Sequence, residues 1–406
     1  MDIPQKISNH NFFAFLWHAA FLALAQSFMD VDTIIPSMIL KSGGTSFHIG
    51  IMTTILMGGS SFTQLFFAPY ISNKSYKKKY LLLGINARIF SLLALAILLF
   101  FIQPGATRWA LWLIFLFISM FAFGGAFTNI SYTDIFGKSV DAGKRKTFFS
   151  VRQIIAGTII LLSAFLAKKI ITGFNYPENY AYLFLSGGSL LLIASAGFWK
   201  INELTSSAFR ISSISDYFSI LGSELKNNPK IIFFLGFINT QGIIISFLPF
   251  VMLYAEQKFS IQSSNTGNYL LFKVIGIVFI SLVIFLASKK IRYNFLLYLN
   301  VGLSLSIIIL TMLSANATHL RYVFMVGGIV YSLFSITMNG ILLEVSGKEN
   351  RALYTGLAGA GNILPAVFPL AAAWIIEELG FRVFFSLLFI IVFTALFFIY
   401  KLGCKK

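Results

Sequence analysis

Two aspartates, Asp30 and Asp32, interrupt an apolar run in which no other residue between Lys6 and Lys41 carries a formal charge at neutral pH. On insertion scales an ionised group at the centre of a membrane helix costs roughly 2.5–3.5 kcal/mol, so each one calls for a partner, a wet cavity or a function. In a continuous helix, at about 100° per residue, the two acids point about 200° apart and do not face one cavity. Gln26, Asp30 and Thr33 share a face at i, i+4 and i+7. Lys273 lies in another apolar run, at a depth close to that of Asp30. It reads either as the ion-pair partner of one of these acids or as an anion site; the plain alternative is a lysine whose stem snorkels to the surface. A carboxylate that alternates between a dry site beside a cation and an open, wet one can load and release a proton, and Asp30 is the expected carrier.

Further charges sit where apolar runs end. Asp134 and Arg152 fall at facing ends of two successive runs, and Glu344 and Arg351 flank the equivalent turn later in the chain, with Arg145 the counterpart of Arg351. These residues predict interhelical ion pairs that gate the inner mouth; solvated helix ends are the alternative. Uncharged polar residues inside the runs, namely Asn129, Tyr132, Asn239, Gln241, Tyr331, Asn339 and Asn362, are candidates for lining a solute cavity. They serve equally well as hydrogen-bonding contacts between helices, worth about 0.6 kcal/mol each on average. His18 and His48 read as packed or interfacial residues, and Arg88 as a packed residue with a snorkelling head.

Other chemistry finds little in the pattern. The single cysteine, Cys404, allows no intrachain disulfide, and no Cys/His spacing suggests a metal. No Gly-rich phosphate loop and no nucleophile–base pair can be read from the spacing. The expectation is a protein that is not an enzyme and holds no cofactor.

Hydropathy defines the elements that position these groups. Hydrophobic residues make up 57% of the 406 and charged residues only 11%, where a soluble domain carries about 25%. Mean hydropathy is +0.83. The net charge of +17 sits in short loops between apolar runs. That placement fits an orientation signal and argues against a nucleic-acid partner. With about 20 apolar residues needed per crossing, the spans fall at 12–38, 47–71, 80–102, 109–136, 148–167, 180–199, 231–254, 267–287, 293–313, 322–345, 353–376 and 381–400. The first run is too long for a signal peptide and is expected to remain as a span. With the N-terminus inside, the inner loops and tails hold 21 basic residues and the outer loops seven. This positive-inside bias puts both termini in the cytoplasm.

A polar stretch, 202–228, separates the first six spans from the last six. Ile214, Tyr217, Phe218, Leu221 and Leu225 recur within it at helical spacing, which predicts a short amphipathic helix on the inner membrane face. Asn228-Pro229 then opens span seven. The halves correspond to each other. Pro36 aligns with Pro249, which brings Gln26 onto Asn239 and Thr33 onto Ser246. The ends of spans four and ten both read Asn, four residues, acid: Asn129 to Asp134 and Asn339 to Glu344. The fold class is therefore an all-α membrane protein of twelve transmembrane helices in two pseudo-symmetric six-helix bundles, 1–201 and 229–406, joined by the linker 202–228. Glycine pairs at 58–59, 124–125, 187–188 and 327–328 are expected where helices approach closely.

This layout resembles the major facilitator superfamily. The specific likeness is local: the acid-six-residues-arginine spacing from Glu344 to Arg351, and the segment Thr133–Lys138 followed by Arg145–Arg152, similar to bacterial permeases of that superfamily. The superfamily signature between spans two and three departs here, since Ser72 stands where its acid is expected, although Lys74, Lys77, Lys78 and Lys79 keep the positive charge. Span five has Gly157-Thr158 in place of the Gly-Pro of drug/proton antiporters. The resemblance implies that spans one, four, seven and ten line a central cavity. It also implies a span-one aspartate that carries a proton, as in sugar/proton symporters. The expected function is secondary active transport of a small organic solute across a cell inner membrane, with proton and lipids as further partners. A lipid scramblase or a non-transporting receptor on the same scaffold is the alternative.

Overall fold

The computed structural model describes residues 4–72, 74–102, 108–204, 228–287, 293–345 and 362–403, with isolated positions between 219 and 226. Among them all regular structure is helical. The first half of the chain holds α1 (Gln5–Gln26), a 3-10 turn (Ser27–Met29), α2 (Ile34–Lys41), α3 (Ser46–Ser72), α4 (Lys78–Phe101), α5 (Arg108–Ser139), α6 (Ala142–Gly173) and α7 (Glu178–Lys200). The second holds α8 (Pro229–Ile245), α9 (Phe247–Phe259), α10 (Ser263–Ala287), α11 (Tyr293–Met312), α12 (Leu320–Val345) and α13 (Ile363–Leu402). Ten helical stretches among the described residues are long and apolar enough to cross a bilayer, and Ser46–Gly59 is a shorter apolar one. The start of the expected span at 353–376 and the hydrophobic face expected at 214–225 lie outside the described residues.

α13 covers 40 residues but is not one straight rod. Gly380 has φ 80° and ψ 170°, a conformation open essentially to glycine alone. The rings of Phe368 and Phe384 lie 6.4 Å apart, whereas a straight helix would separate these positions by about 24 Å. The chain therefore folds back at Gly380, between the runs expected at 353–376 and 381–400.

Spans one and seven are both broken, for the same reason. A proline inside a helix removes one backbone donor and clashes with the carbonyl four residues earlier. In the first turn its missing N–H costs nothing, because the first four N–H groups of a helix have no intrahelical partner. Pro36 is the third residue of α2 and Pro249 the third of α9, with Thr33 and Ser246 at the two N-cap positions. The repeat alignment read from sequence thus coincides with the backbone. The breaks differ in extent. Span seven turns at Ser246 alone, whereas span one passes through the 3-10 turn, extended backbone at Asp30 and a turn at 31–33 before α2 begins.

Contacts divide the chain into two compact units, Met1–Asp30 with Phe62–Ile214 and Val31–Ser61 with Ser215–Lys406. The division passes through the break in span one, so α2 and the first half of α3 belong with the second unit. In the first unit α1 packs on α7, and α4 on α5 and α7; in the second α8 packs on α13, and α11 on α12 and α13. These are equivalent pairings of the two halves.

Glycine sets the closest approaches. A Cβ at Gly84 of α4 would meet the Gly124 carbonyl and Thr128 of α5, one at Gly197 would meet the Ala14 carbonyl, and one at Gly328 of α12 would meet the Lys273 carbonyl. Gly125, next to Gly124, faces open space. Gly84→Ala should therefore cost about 1–3 kcal/mol through overpacking, while Gly125→Ala should be neutral or stabilise by about 0.5–1 kcal/mol. Thermal unfolding of the two variants in detergent, followed by size-exclusion profile, distinguishes the positions.

Candidate functional site

Ending α1 at Gln26 places Asp30 and Asp32 outside any α-helix. The 200° separation of the two acids, and the face shared by Gln26, Asp30 and Thr33, assumed a helix that runs through residue 33 and so do not apply. Gln26 is exposed and Asp30 half-buried. Asp32 is buried, and its Oδ2 lies 2.5 Å from Lys273 Nζ of α10, with side-chain exposures of only 10% and 6%. Both residues belong to the second unit. Asp32 also lines a narrow cleft walled by Ile244 and Ile245 of α8, Leu248 of α9, Ile307 of α11, and Gly327, Val330 and Tyr331 of α12. Among the described residues, the Tyr331 phenol is the other polar side chain at this cleft, and is 47% exposed.

Outward from this pair, α2 is tied to α9 and α10. Ser37 Oγ and Thr266 Oγ1 are 3.0 Å apart. Lys41 Nζ donates to Glu256 Oε1 at 2.9 Å and to the Ile261 carbonyl at 3.0 Å. On the neighbouring helix α3, a Cβ at Gly50 would run into Ala373 and the Pro369 carbonyl of α13. The far end of span one is thus held by one buried ion pair, one half-buried ion pair and one hydroxyl contact.

A second charge system lies in the first unit, at the end expected to face the cytoplasm. Asp134 bonds through Oδ1 to Lys77 Nζ at 2.7 Å and through Oδ2 to Lys138 Nζ at 2.9 Å. Lys138 Nζ also lies 2.7 Å from Glu203 Oε1. The Glu203 side chain is buried, and its carboxylate accepts the backbone N–H of Lys77 at 2.8 Å and of Lys78 at 2.7 Å. A carboxylate on the first N–H groups of α4 is where the helix dipole favours it. Two acids and two lysines thus tie the start of α4, the end of α5 and the chain leaving α7. Ser72, which replaces the signature acid, closes α3; a carboxylate reaches this turn from Glu203 instead. The sequence pattern assigns a gating role to Asp134 but none to Lys77, Lys138 or Glu203, which lies 126 residues from Lys77 in the chain.

Of the other expected gate residues, Arg145 donates from Nε to the Val140 carbonyl at 3.1 Å and from Nη2 to the Gly137 carbonyl, closing the end of α5. Arg152 is exposed on α6. Glu344 falls in the last turn of α12, and Arg351 lies outside the described residues.

Several polar candidates join helices. Asn239 Oδ1 accepts the N–H of Leu364 at 2.9 Å, capping α13, whose N-cap residue is Asn362. Gln241 is buried and accepts from Ser304 Oγ at 3.1 Å, linking α8 to α11. Tyr132 packs edge-on against Phe15 and stacked on Phe136, while Asn129 is exposed. Asn339 belongs to α12. His18 stacks on Phe198 at 3.6 Å, and the Arg88 guanidinium lies 4.3 Å over the Phe121 ring.

Glu203→Gln keeps the shape of this carboxylate but sets an amide N–H₂ against donors. Removing one member of a buried charge system costs about 3 kcal/mol, so the apparent Tm should fall well below that of the wild type, while Lys6→Gln, at an exposed lysine, should leave it unchanged. Equal melting of all three proteins would show that Glu203 does not brace this end.

The profile of the Major Facilitator Superfamily matches residues 16–362. No curated protein matches the chain in sequence. In fold it is similar to crystal structures of transporters. With the nucleoside transporter NupG the TM-score is 0.68 at 14% identity, covering 97% of this chain and 99% of that one. With a POT family transporter in complex with a thioalcohol conjugated peptide the values are 0.71 and 13%, covering 99% of each chain. With a D-xylose–proton symporter they are 0.62 and 14%, covering 96% and 95%. At these identities the likeness is one of fold. The profile match extends over most of the sequence and includes the breaks in spans one and seven, and the chain belongs to the Major Facilitator Superfamily.

Proposed function

We propose that this protein is a secondary active transporter that moves a small organic solute by alternating access, driven by protons. The observation that carries the reading is the buried Asp32–Lys273 pair at the break in span one. A buried carboxylate on the non-helical segment of span one and an ammonium on α10 make a two-state element. Paired and dry, Asp32 stays ionised; parted and open to water on one side, it exchanges a proton. The ties between Lys41 and Glu256 and between Ser37 and Thr266 would have to release for that opening. Asp32 takes the carrier role expected of Asp30, because Asp32 holds the lysine. The known folds support the class: a nucleoside transporter and a D-xylose–proton symporter share it.

In proteoliposomes carrying an inside-alkaline gradient, Asp32→Asn should abolish accumulation of the solute while sparing counterflow exchange, and Asp30→Asn should do less. Wild-type accumulation by Asp32→Asn would remove Asp32 from the coupling path. Movement of labelled lipid without any gradient would point instead to a scramblase.

The positive-inside bias supports an orientation with both termini cytoplasmic, and the short loops fit a cell inner membrane. Lipid is the expected occupant of a surface groove with about 630 Å³ of empty space, lined by Phe13, Ala14, Trp17, Ala196 and Gly197 with His10 and Lys200. A membrane-impermeant maleimide should label Cys404, the single cysteine, in inverted vesicles and not in intact cells. Labelling in intact cells would reverse the orientation.

A further inference from the structure

We infer that the transported solute is an organic monoanion, a carboxylate or a singly charged phosphate ester, whose anionic group replaces Asp32 on Lys273. The inference rests on the proton-coupled reading above and names the substrate class of the same site.

The ground for it is charge conservation at a dry site. Asp32 and Lys273 face each other at 2.5 Å, nearly sealed from solvent. The cleft beside them is walled by Ile244, Ile245, Leu248, Ile307 and Val330, which solvate no charge. Whatever else surrounds the pair, protonating Asp32 raises the charge of the site by one. A neutral solute leaves that excess in place, and a cationic solute that displaces Lys273 from an ionised Asp32 creates the same excess. An anion bound together with the proton cancels it. Breaking a buried pair by removing one partner is strongly destabilising, and the anion supplies the missing partner.

The groups facing Asp32 fit this exchange. From α10 comes the Lys273 ammonium, with three donors and no acceptor. From α12 comes the Tyr331 phenol, a second donor at the cleft. α8, α9 and α11 bring only apolar side chains to its lining. The nearest charges along α2 and α9, Lys41 and Glu256, hold each other further out. His48 of α3 takes hydrogen bonds from Thr45. Among the described residues, Glu377 and Glu378 of α13 are exposed. An anion that takes the place of Asp32 therefore meets the Lys273 cation, with the Tyr331 phenol at the adjoining cleft, and Asp32 becomes compatible with it once protonated.

The test uses the full-length protein in proteoliposomes with a pH dye inside, and a panel of monocarboxylates, phosphate monoesters, neutral sugars and nucleosides, and organic cations. Monoanions alone should drive proton entry, with no net charge movement, so that a potassium–valinomycin potential has no effect. For the active anion, apparent affinity should rise about tenfold per unit fall in pH while Asp32 is ionised, since one proton is taken up with each anion. Asp32→Asn should bind the same anion with no such pH slope. Lys273→Gln should weaken binding by about 100-fold. Should that variant fail to fold, the neutral double variant D32N/K273Q removes the unpaired acid and should show the same loss. Proton entry driven by a neutral or cationic compound would overturn the anion inference and leave proton coupling intact. Proton entry with net charge, or an unchanged pH slope in Asp32→Asn, would overturn it as well. No proton flux with any member of the panel would overturn the coupled-transport reading itself.

Discussion

In hydrocarbon a backbone amide without a partner costs several kcal/mol, so a chain that crosses a membrane satisfies its own N–H and C=O groups or breaks where other groups serve them. Proline forces that decision. Pro36 and Pro249 occupy the same register, third in the outer half-helix of spans one and seven, where a missing donor costs nothing. The consequences of the break differ between the halves. In span seven a single residue, Ser246, absorbs it. In span one the chain leaves helical geometry from Asp30 to Thr33, and this non-helical segment carries Asp32 into the second unit, within reach of Lys273. Without the break, Asp32 would follow helical periodicity and point elsewhere.

Much of this was legible in the sequence. Apolar runs gave the helices, because hydrocarbon sets a length and a composition that few soluble segments meet. Two prolines at matched positions gave the repeat, and paired glycines gave the contacts at Gly124, Gly188 and Gly328. The choice between Asp30 and Asp32 was not legible. Helical-wheel geometry decides such questions only where the helix continues, and the wheel offered no sign that the run stopped at Gln26 rather than at Pro36. The network of Lys77, Lys138 and Glu203 was also hidden. Its bonds join residues more than 50 apart in the chain except within α5, and an isolated acid such as Glu203 in a polar linker has no periodic signature. Amide side chains were ambiguous for a physical reason: Asn239 and Gln241 satisfy the same donor and acceptor rules whether they meet a solute or another helix, and the structure gives each a helix-to-helix bond.

The two charge systems have different mechanical characters. In the first unit Asp134 holds two lysines, Lys138 holds two acids, and Glu203 also accepts two backbone N–H groups. The acids and Lys138 each keep a partner when any one contact lengthens, and the helix dipole of α4 favours the carboxylate independently. Such a cluster braces the helices it joins. In the Asp32–Lys273 pair an acid meets a cation of α10, and the acid is set on a non-helical segment instead of a rigid helix. Parting it separates opposite charges in a dry site, so intermediate separations are costly, and the favourable states are the closed pair or a neutralised, solvated one. That bistability is what a coupling element requires, because a ligand shifts an equilibrium only by the difference in its affinity for two states. In the proposed coupling, a proton would distinguish the two states of Asp32 by its full charge. In the proposed cycle the helix break would let the carboxylate move between them, while the network of Asp134, Lys138 and Glu203 would keep the helices of its own unit from absorbing the motion.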